Sequence, residues 1–266
     1  MKVGIFGGGF KPFHTGHFSK VALALDENDE VYLFYGIQKD QKPKIGKRGK
    51  PLKVQQKLRA IGASGRKFTE SMSSKIFEII KQSLERKYGS RIHVIKSSAP
   101  IGDIIEKIGE FKDSPPERIK VYGRPEDLNR YYLRLYNSPA GGGESRGSKY
   151  FGTLREDGVL EFGTISREES EGLTPEELSD LESSRIINAL RSLYPEATDD
   201  ELRDYAGVSA TTIRNSISSR DIDALKMYLP DFLDPAEEDR IVDILLGDDA
   251  RIEEHLRYFI RGMLKG

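Results

Sequence analysis

Two histidines three residues apart, His14 and His17, frame Gly16 in the run GGGFKPFHTGH at residues 7–17. Around the start of a helix, that spacing lets both imidazoles point the same way, toward whatever the helix N-terminus binds. The glycines before them, Gly7, Gly8 and Gly9, let a bulky polyanion come against the backbone and let the chain turn with positive φ. Pro12 stiffens the loop. A strand, a glycine-rich turn and a helix in succession bring backbone N–H groups together on an anion. Histidines so placed also suit half of a metal site or a solvated surface pair, but the chain has only four histidines and two of them are here. Neither common glycine loop fits. A P-loop ends in Gly-Lys-Ser/Thr, where this chain has Gly16, His17 and Phe18. The G-x-G-x-x-G run needs glycine where Pro12 stands.

A second pattern with anion chemistry is VSATTIRNSI at residues 208–217. Ser209 is a good N-cap residue, and Thr211, Thr212 and Arg214 fall in the first turns of the helix it opens. N–H groups and hydroxyls suit phosphate oxygens, and Arg214 offers a bidentate fork. Residues 200–217 also read as a helix-turn-helix, with Gly207 in the turn and Val208 and Ile213 as core positions. Arg203, however, stands where two closely crossing helices normally need a small residue. Asp199, Asp200, Glu201 and Asp204 oppose a phosphate backbone. Nucleic acid is not the expected partner.

The elements that must position these residues alternate. Strands are expected at 2–6, 30–36, 91–96 and 118–122, and helices at 16–25, 52–61, 70–88, 101–111 and 125–135. That order predicts an α/β fold: a Rossmann-like parallel sheet with helices on both faces and a site at the carboxyl ends of the strands. The glycine loop and Gly123-Arg124 both fall at that end. So does the loop at 38–51, which holds Lys39, Lys42, Lys44, Lys47, Arg48 and Lys50 against Asp40 alone; it reads equally as a phosphate clamp, with Lys42 and Lys44 its contacts, or as a solvated charge run. From Asn137 the composition changes. Residues 138–148 read as a linker and 149–165 as a β-hairpin about the Asp157-Gly158 turn. A T-P-E-E capping signature opens a helix over 174–193. The expected organisation is one domain at 1–228, with an insertion at 137–183, and a C-terminal helical extension at 229–266. His93 reads as structural or at the surface, and His255 as solvated.

Composition narrows the classes. With 42 basic and 43 acidic residues there is no global basic field, so anion binding must be local. Absence of cysteine removes disulfides, thiolate zinc sites and a cysteine nucleophile. No apolar run approaches the roughly 20 residues of a membrane span. A chain that enters a strand at once is expected to carry no signal peptide and to be cytoplasmic. The C-terminal helices are a candidate contact for a homo-oligomer.

Together the two motifs resemble the signatures of the HxGH nucleotidylyltransferase superfamily, whose fold is cytidylyltransferase-like. FKPFHTGH is closest to the archaeal-type nicotinamide mononucleotide adenylyltransferases, which usually carry Gln where this chain has Lys11. It is also similar to phosphopantetheine adenylyltransferases and to cytidylyltransferases of lipid and wall precursors. Ser209, Thr211 and Arg214, with Ile213 between them, match the second signature, ISxTxxR. The resemblance implies transfer of a nucleoside monophosphate from an NTP to a small phosphorylated acceptor, releasing pyrophosphate. It implies catalytic roles for His14, His17, Lys11 and Arg214. It implies nucleotide contacts from Gly7, Gly8, Gly9, Phe10, Gly16, Gly123, Arg124, Ser209, Thr211 and Thr212. Mg²⁺ would be held mainly by the NTP phosphates, with no protein ligand named. ATP with nicotinamide mononucleotide is the first expectation, and CTP with a sugar or polyol phosphate the second. The third is a chain that uses the pocket only to bind or sense a nucleotide. Lys11 departs from both enzyme groups and weakens the transfer of a substrate from either.

Overall fold

A computed structural model describes residues 1–37, 60–61, 66–123, 158–163 and 174–247, with Leu128 and Leu154. The elements in chain order begin with β1 (Lys2–Gly8), α1 (Thr15–Glu27), β2 (Glu30–Gly36), β3 (Ala60–Ile61), β4 (Arg66–Lys67) and α2 (Glu70–Tyr88). They continue with β5 (Ile92–Ser97), α3 (Pro100–Glu110), β6 (Arg118–Tyr122) and β7 (Leu160–Phe162). Five helices follow: α4 (Pro175–Leu193), α5 (Asp199–Gly207), α6 (Ala210–Ser219), α7 (Ile222–Met227) and α8 (Pro235–Leu246). The chain divides into two compact units. Met1–Phe10, Thr15–Ile37 and Leu84–Gly207 make the first; Lys11–His14, Gln38–Ser83 and Val208–Gly266 make the second.

The first unit is built on a five-stranded sheet in the order β5-β2-β1-β6-β7. Every pairing in it is parallel. The chain steps from β1 to β2 to β5, then returns to the other side of β1 for β6 and β7. This is a doubly wound, Rossmann-like α/β arrangement, and its order reverses between β1 and β6. Ligands of such sheets bind outside the carboxyl ends of the strands at that reversal. Alternation along the strands sorts the two faces. Val3, Ile5, Ile119 and Val121 are buried with Ile104, Ile105 and Ile108 of α3. Each isoleucine so buried contributes about 1.5–3 kcal/mol relative to an exposed one. The opposite face of β6, carrying Arg118, Lys120 and Tyr122, meets the C-terminal end of α1.

Several expectations need correction. β1 continues two residues past Phe6, so Gly7 and Gly8 are strand rather than turn. Among the described residues, the glycines with positive φ are Gly89, Gly158, Gly163 and Gly247, so the glycine loop does not use that freedom. Ala60 and Ile61 are not the end of a helix; they pair antiparallel with Arg66 and Lys67 in the second unit. Of the expected hairpin at 149–165, the Gly158 turn is present, Leu154 before it is helical and β7 after it is the fifth strand of the main sheet, parallel to β6; residues 149–153, 155–157 and 164–165 lie outside the described residues. Burial explains the choice: Leu154 and Leu160 both enter the core over Ile119 and Val121. The basic loop at 38–51, the start of the expected helix at 52–61, the helix at 125–135 apart from Leu128, the linker at 138–148 and the last helix near His255 lie outside the described residues.

In the second unit, helix starts follow side-chain chemistry. Ser209 caps α6, accepting from the Thr212 N–H, and Asp221 caps α7 in the same way. Asp234 and Glu237 form a reciprocal capping box at α8, as Thr174 and Glu177 do at α4 in the first unit.

What glycine does at the end of β1 is close packing. A Cβ on Gly36 would lie 2.6 Å from the Gly8 carbonyl oxygen, and one on Gly7 would lie 2.6 Å from Ile104 Cδ1. The first obstacle is backbone; the second is the movable tip of a side chain. Gly36→Ala is therefore expected to lower stability by about 1–3 kcal/mol, and Gly7→Ala by clearly less. Urea midpoints at equal m-value check this, and the reverse order would show that Ile104 cannot yield.

Candidate functional site

In the first unit the site is assembled where β1 runs into the helix that follows. Gly8 closes the strand and Gly9 leaves it. Phe10 then folds back beneath, its ring 3.2 Å from where a Gly8 Cβ would be. Phe10 is 1% exposed. Its ring centre lies 4.9 Å from that of Tyr35, 5.7 Å from that of Phe6 and 4.9 Å from that of His17, which it meets edge-on. The phenylalanine expected among the nucleotide contacts thus has its ring buried and packed against that of His17. Thr15 opens α1 fully buried, and its hydroxyl has no hydrogen-bond partner among the described residues. Gly16 follows it, its carbonyl accepting from the Ser19 hydroxyl at 3.1 Å. The first N–H groups of α1, like those of any helix, have no intrahelical partner, and the positive end of the helix dipole lies at Thr15. Gly123 directly follows β6 on the other side of the reversal, with a Leu128 methyl 3.1 Å from where its Cβ would be.

The second unit holds Lys11–His14 and the α6 motif. The Lys11–Pro12 peptide is cis. Phe13 is fully buried and packs edge-on against Phe232 at 6.3 Å. His14 is 3% exposed. Burial pushes its pKa down from 6.5 to about 4, because the charged form loses its hydration. Near neutral pH this imidazole is uncharged. At α6, the Ser209 hydroxyl lies 2.9 Å from that of Thr212, and Arg214 donates to the Thr211 hydroxyl at 3.0 Å. Buried Ile213 and Ile217 fix the other side of the helix. The expected cap, hydroxyls and guanidinium thus form two side-chain pairs at the start of α6, Ser209 with Thr212 and Thr211 with Arg214.

Arg124, Lys42 and Lys44 lie outside the described residues. Among the described residues, no group of three or more His, Asp or Glu could hold a metal ion. The helices of the helix-turn-helix reading fall in different units, and Arg203 is exposed and paired with Asp200 at 3.2 Å. His93 stacks on Tyr32 at 4.6 Å in the sheet unit.

Sequence reasoning missed the cluster that anchors α1. Glu27 accepts from Lys120 Nζ at 2.8 Å, from the Tyr122 hydroxyl at 2.6 Å and from Arg185 at 3.4 Å. Asn28 donates to the Tyr122 hydroxyl at 2.7 Å and to the Ala24 carbonyl at 2.8 Å. The available signal was Lys120, a charge inside the otherwise apolar centre of RIKVY.

No protein-family model matches the chain, and no curated relative matches it.

Acid sensitivity follows from His14. Its folded pKa lies below its unfolded one, so its contribution to stability is complete above about pH 6.5 and is lost as pH falls toward 4. The shift corresponds to about 3 kcal/mol. His14→Gln is expected to lose less stability than wild type between pH 7 and pH 4. Parallel denaturation curves in the two proteins across that range would contradict the burial of a neutral imidazole.

Proposed function

We propose that the protein is a nucleotidylyltransferase, moving a nucleoside monophosphate, AMP from ATP in the first instance, to a phosphorylated acceptor such as nicotinamide mononucleotide. The observation that carries the reading is the place of the histidine motif: it joins β1 to α1 at the point where the order of a doubly wound sheet reverses. The Ser209 cap of α6 and the Thr211–Arg214 pair beside it support it independently.

In the proposed reaction, an oxygen of the acceptor phosphate bonds to the α-phosphorus in line. The bond from that phosphorus to the α,β-bridging oxygen breaks, and pyrophosphate leaves with the electron pair. The acceptor phosphate is already ionised near neutral pH, so no general base is needed. Catalysis then consists of positioning and of stabilising charge on phosphoryl oxygens. The α1 N-terminus and the backbone of Gly8 and Gly9 supply N–H groups near the α-phosphate. His14 enters as a neutral hydrogen-bond donor, and a bound polyanion favours its protonation. The resemblance gives His17, whose ring meets Phe10 edge-on, and Lys11 the α,β-phosphate region, and gives Ser209, Thr211 and Arg214 the β- and γ-phosphates. Mg²⁺ comes with the nucleotide as part of the substrate, carried by phosphate oxygens and water.

The test is pyrophosphate release with Mg²⁺, crossing the four NTPs with nicotinamide mononucleotide, pantetheine phosphate, glycerol phosphate and sugar phosphates. Release is expected with ATP and nicotinamide mononucleotide, with kcat lowered about a hundredfold or more in His17→Ala. Arg214→Lys keeps charge but loses the fork, and is expected to raise the nucleotide KM about tenfold. Release only with CTP and a sugar or polyol phosphate would reassign the substrate. Nucleotide binding with no release from any pair would replace the enzyme by a binding module.

A further inference from the structure

We infer that Glu27 is a positioning residue for the motif: its carboxylate fixes where α1 lies along its own axis, and with it the place of His17. The inference rests on the nucleotide-site reading of the β1–α1 loop for its kinetic consequence, but not for its geometric one. Thr15, Phe18, Ser19 and every residue from Val21 to Leu25 of α1 are buried. Apolar burial is non-directional, so it sets the axial position of the helix less sharply than hydrogen bonds to fixed partners do. The directional bonds are at the other end. Glu27 Oε2 takes Lys120 and Tyr122, alternate residues of β6, while Oε1 takes Arg185 of α4. The Glu27 carbonyl accepts from Arg118, also on β6, at 2.7 Å. The Lys120 side chain is 3% exposed and cannot exchange this partner for water. One carboxylate therefore ties the end of α1 to the strand that forms the far side of the sheet reversal.

A helix of 13 residues is a stiff rod about 20 Å long, so a shift at Glu27 reaches His17. Misplacing a catalytic group by about 1 Å can lower a rate about a hundredfold. No sequence motif includes Glu27, and it does not belong to the phosphate-binding set.

Two variants separate positioning from stability. Glu27→Gln keeps size but removes the charge. Glu27→Met combined with Lys120→Met replaces the ion pair by apolar side chains of similar volume, which buried pairs commonly tolerate. The double variant carries the test should Glu27→Gln not fold. The first readout is the assigned C2–H proton resonance of His17, and the second is steady-state pyrophosphate release well below the melting temperature. In folded protein, the expected result is a displaced His17 resonance, with kcat down about tenfold or more and the nucleotide KM changed less than about threefold. An undisplaced resonance, or a displaced one with wild-type kcat, overturns the proposal. Should wild type itself show no turnover, the functional reading has failed, and the resonance alone decides whether Glu27 positions His17.

Discussion

A helix that ends against a parallel sheet leaves its last carbonyls without intrahelical partners, and in this protein the answer to that constraint organises the first unit. Arg118 donates to the Glu27 carbonyl, and Arg91 donates to the carbonyls of Leu25 and Asn28. Cations at that end also complement the helix dipole. The Glu27 side chain then balances the buried Lys120. Removing one member of such a pair costs about 3–5 kcal/mol, because the other is left buried and charged. The end of α1 is thus tied to β6 and to the turn before β5.

The loop is shaped from below. Phe10 occupies the space that a side chain on Gly8 would need, and Gly36 yields space to the Gly8 carbonyl. Gly7 and Gly8 were read as making room for a ligand, and they, like Gly36, make room for the protein. The two uses are compatible, since a strand end packed this closely holds its backbone N–H groups in one arrangement. His17 inherits its orientation from the same packing, through the edge of its ring on Phe10. On the other side of Pro12, Phe13 is anchored on Phe232 and His14 is buried in neutral form.

Elements whose pattern was governed by local chemistry were legible in the sequence. β2 was readable as a run apolar on both faces, β6 as a strand, α2 as a long amphipathic helix and α4 from its capping signature. The caps of α6 and α7 follow from Ser209 and Asp221. What could not be read locally depended on distant partners. β7 has only three residues, and it is a strand of the sheet because Leu160 finds Ile119 and Val121. Gly158 is a turn residue as its sequence signal indicates, but a turn does not say what it joins. Lys120 looks like an error in a buried strand until Glu27 is seen opposite it. Of the site, the positions of the histidines about the helix start and the Ser209 cap were legible. The role of Phe10 and the burial of His14 were not, because both depend on what packs around the loop.

The central claim is that the reacting atom is the α-phosphorus of an NTP. The most direct measurement is the fate of label from ATP carrying ³²P at the α position and, separately, at the γ position, in the presence of nicotinamide mononucleotide. Nucleotidyl transfer puts the α label into the acceptor product and the γ label into pyrophosphate. Transfer of the γ label to the acceptor, or release of γ label as orthophosphate with the α label left in ADP, would contradict the account.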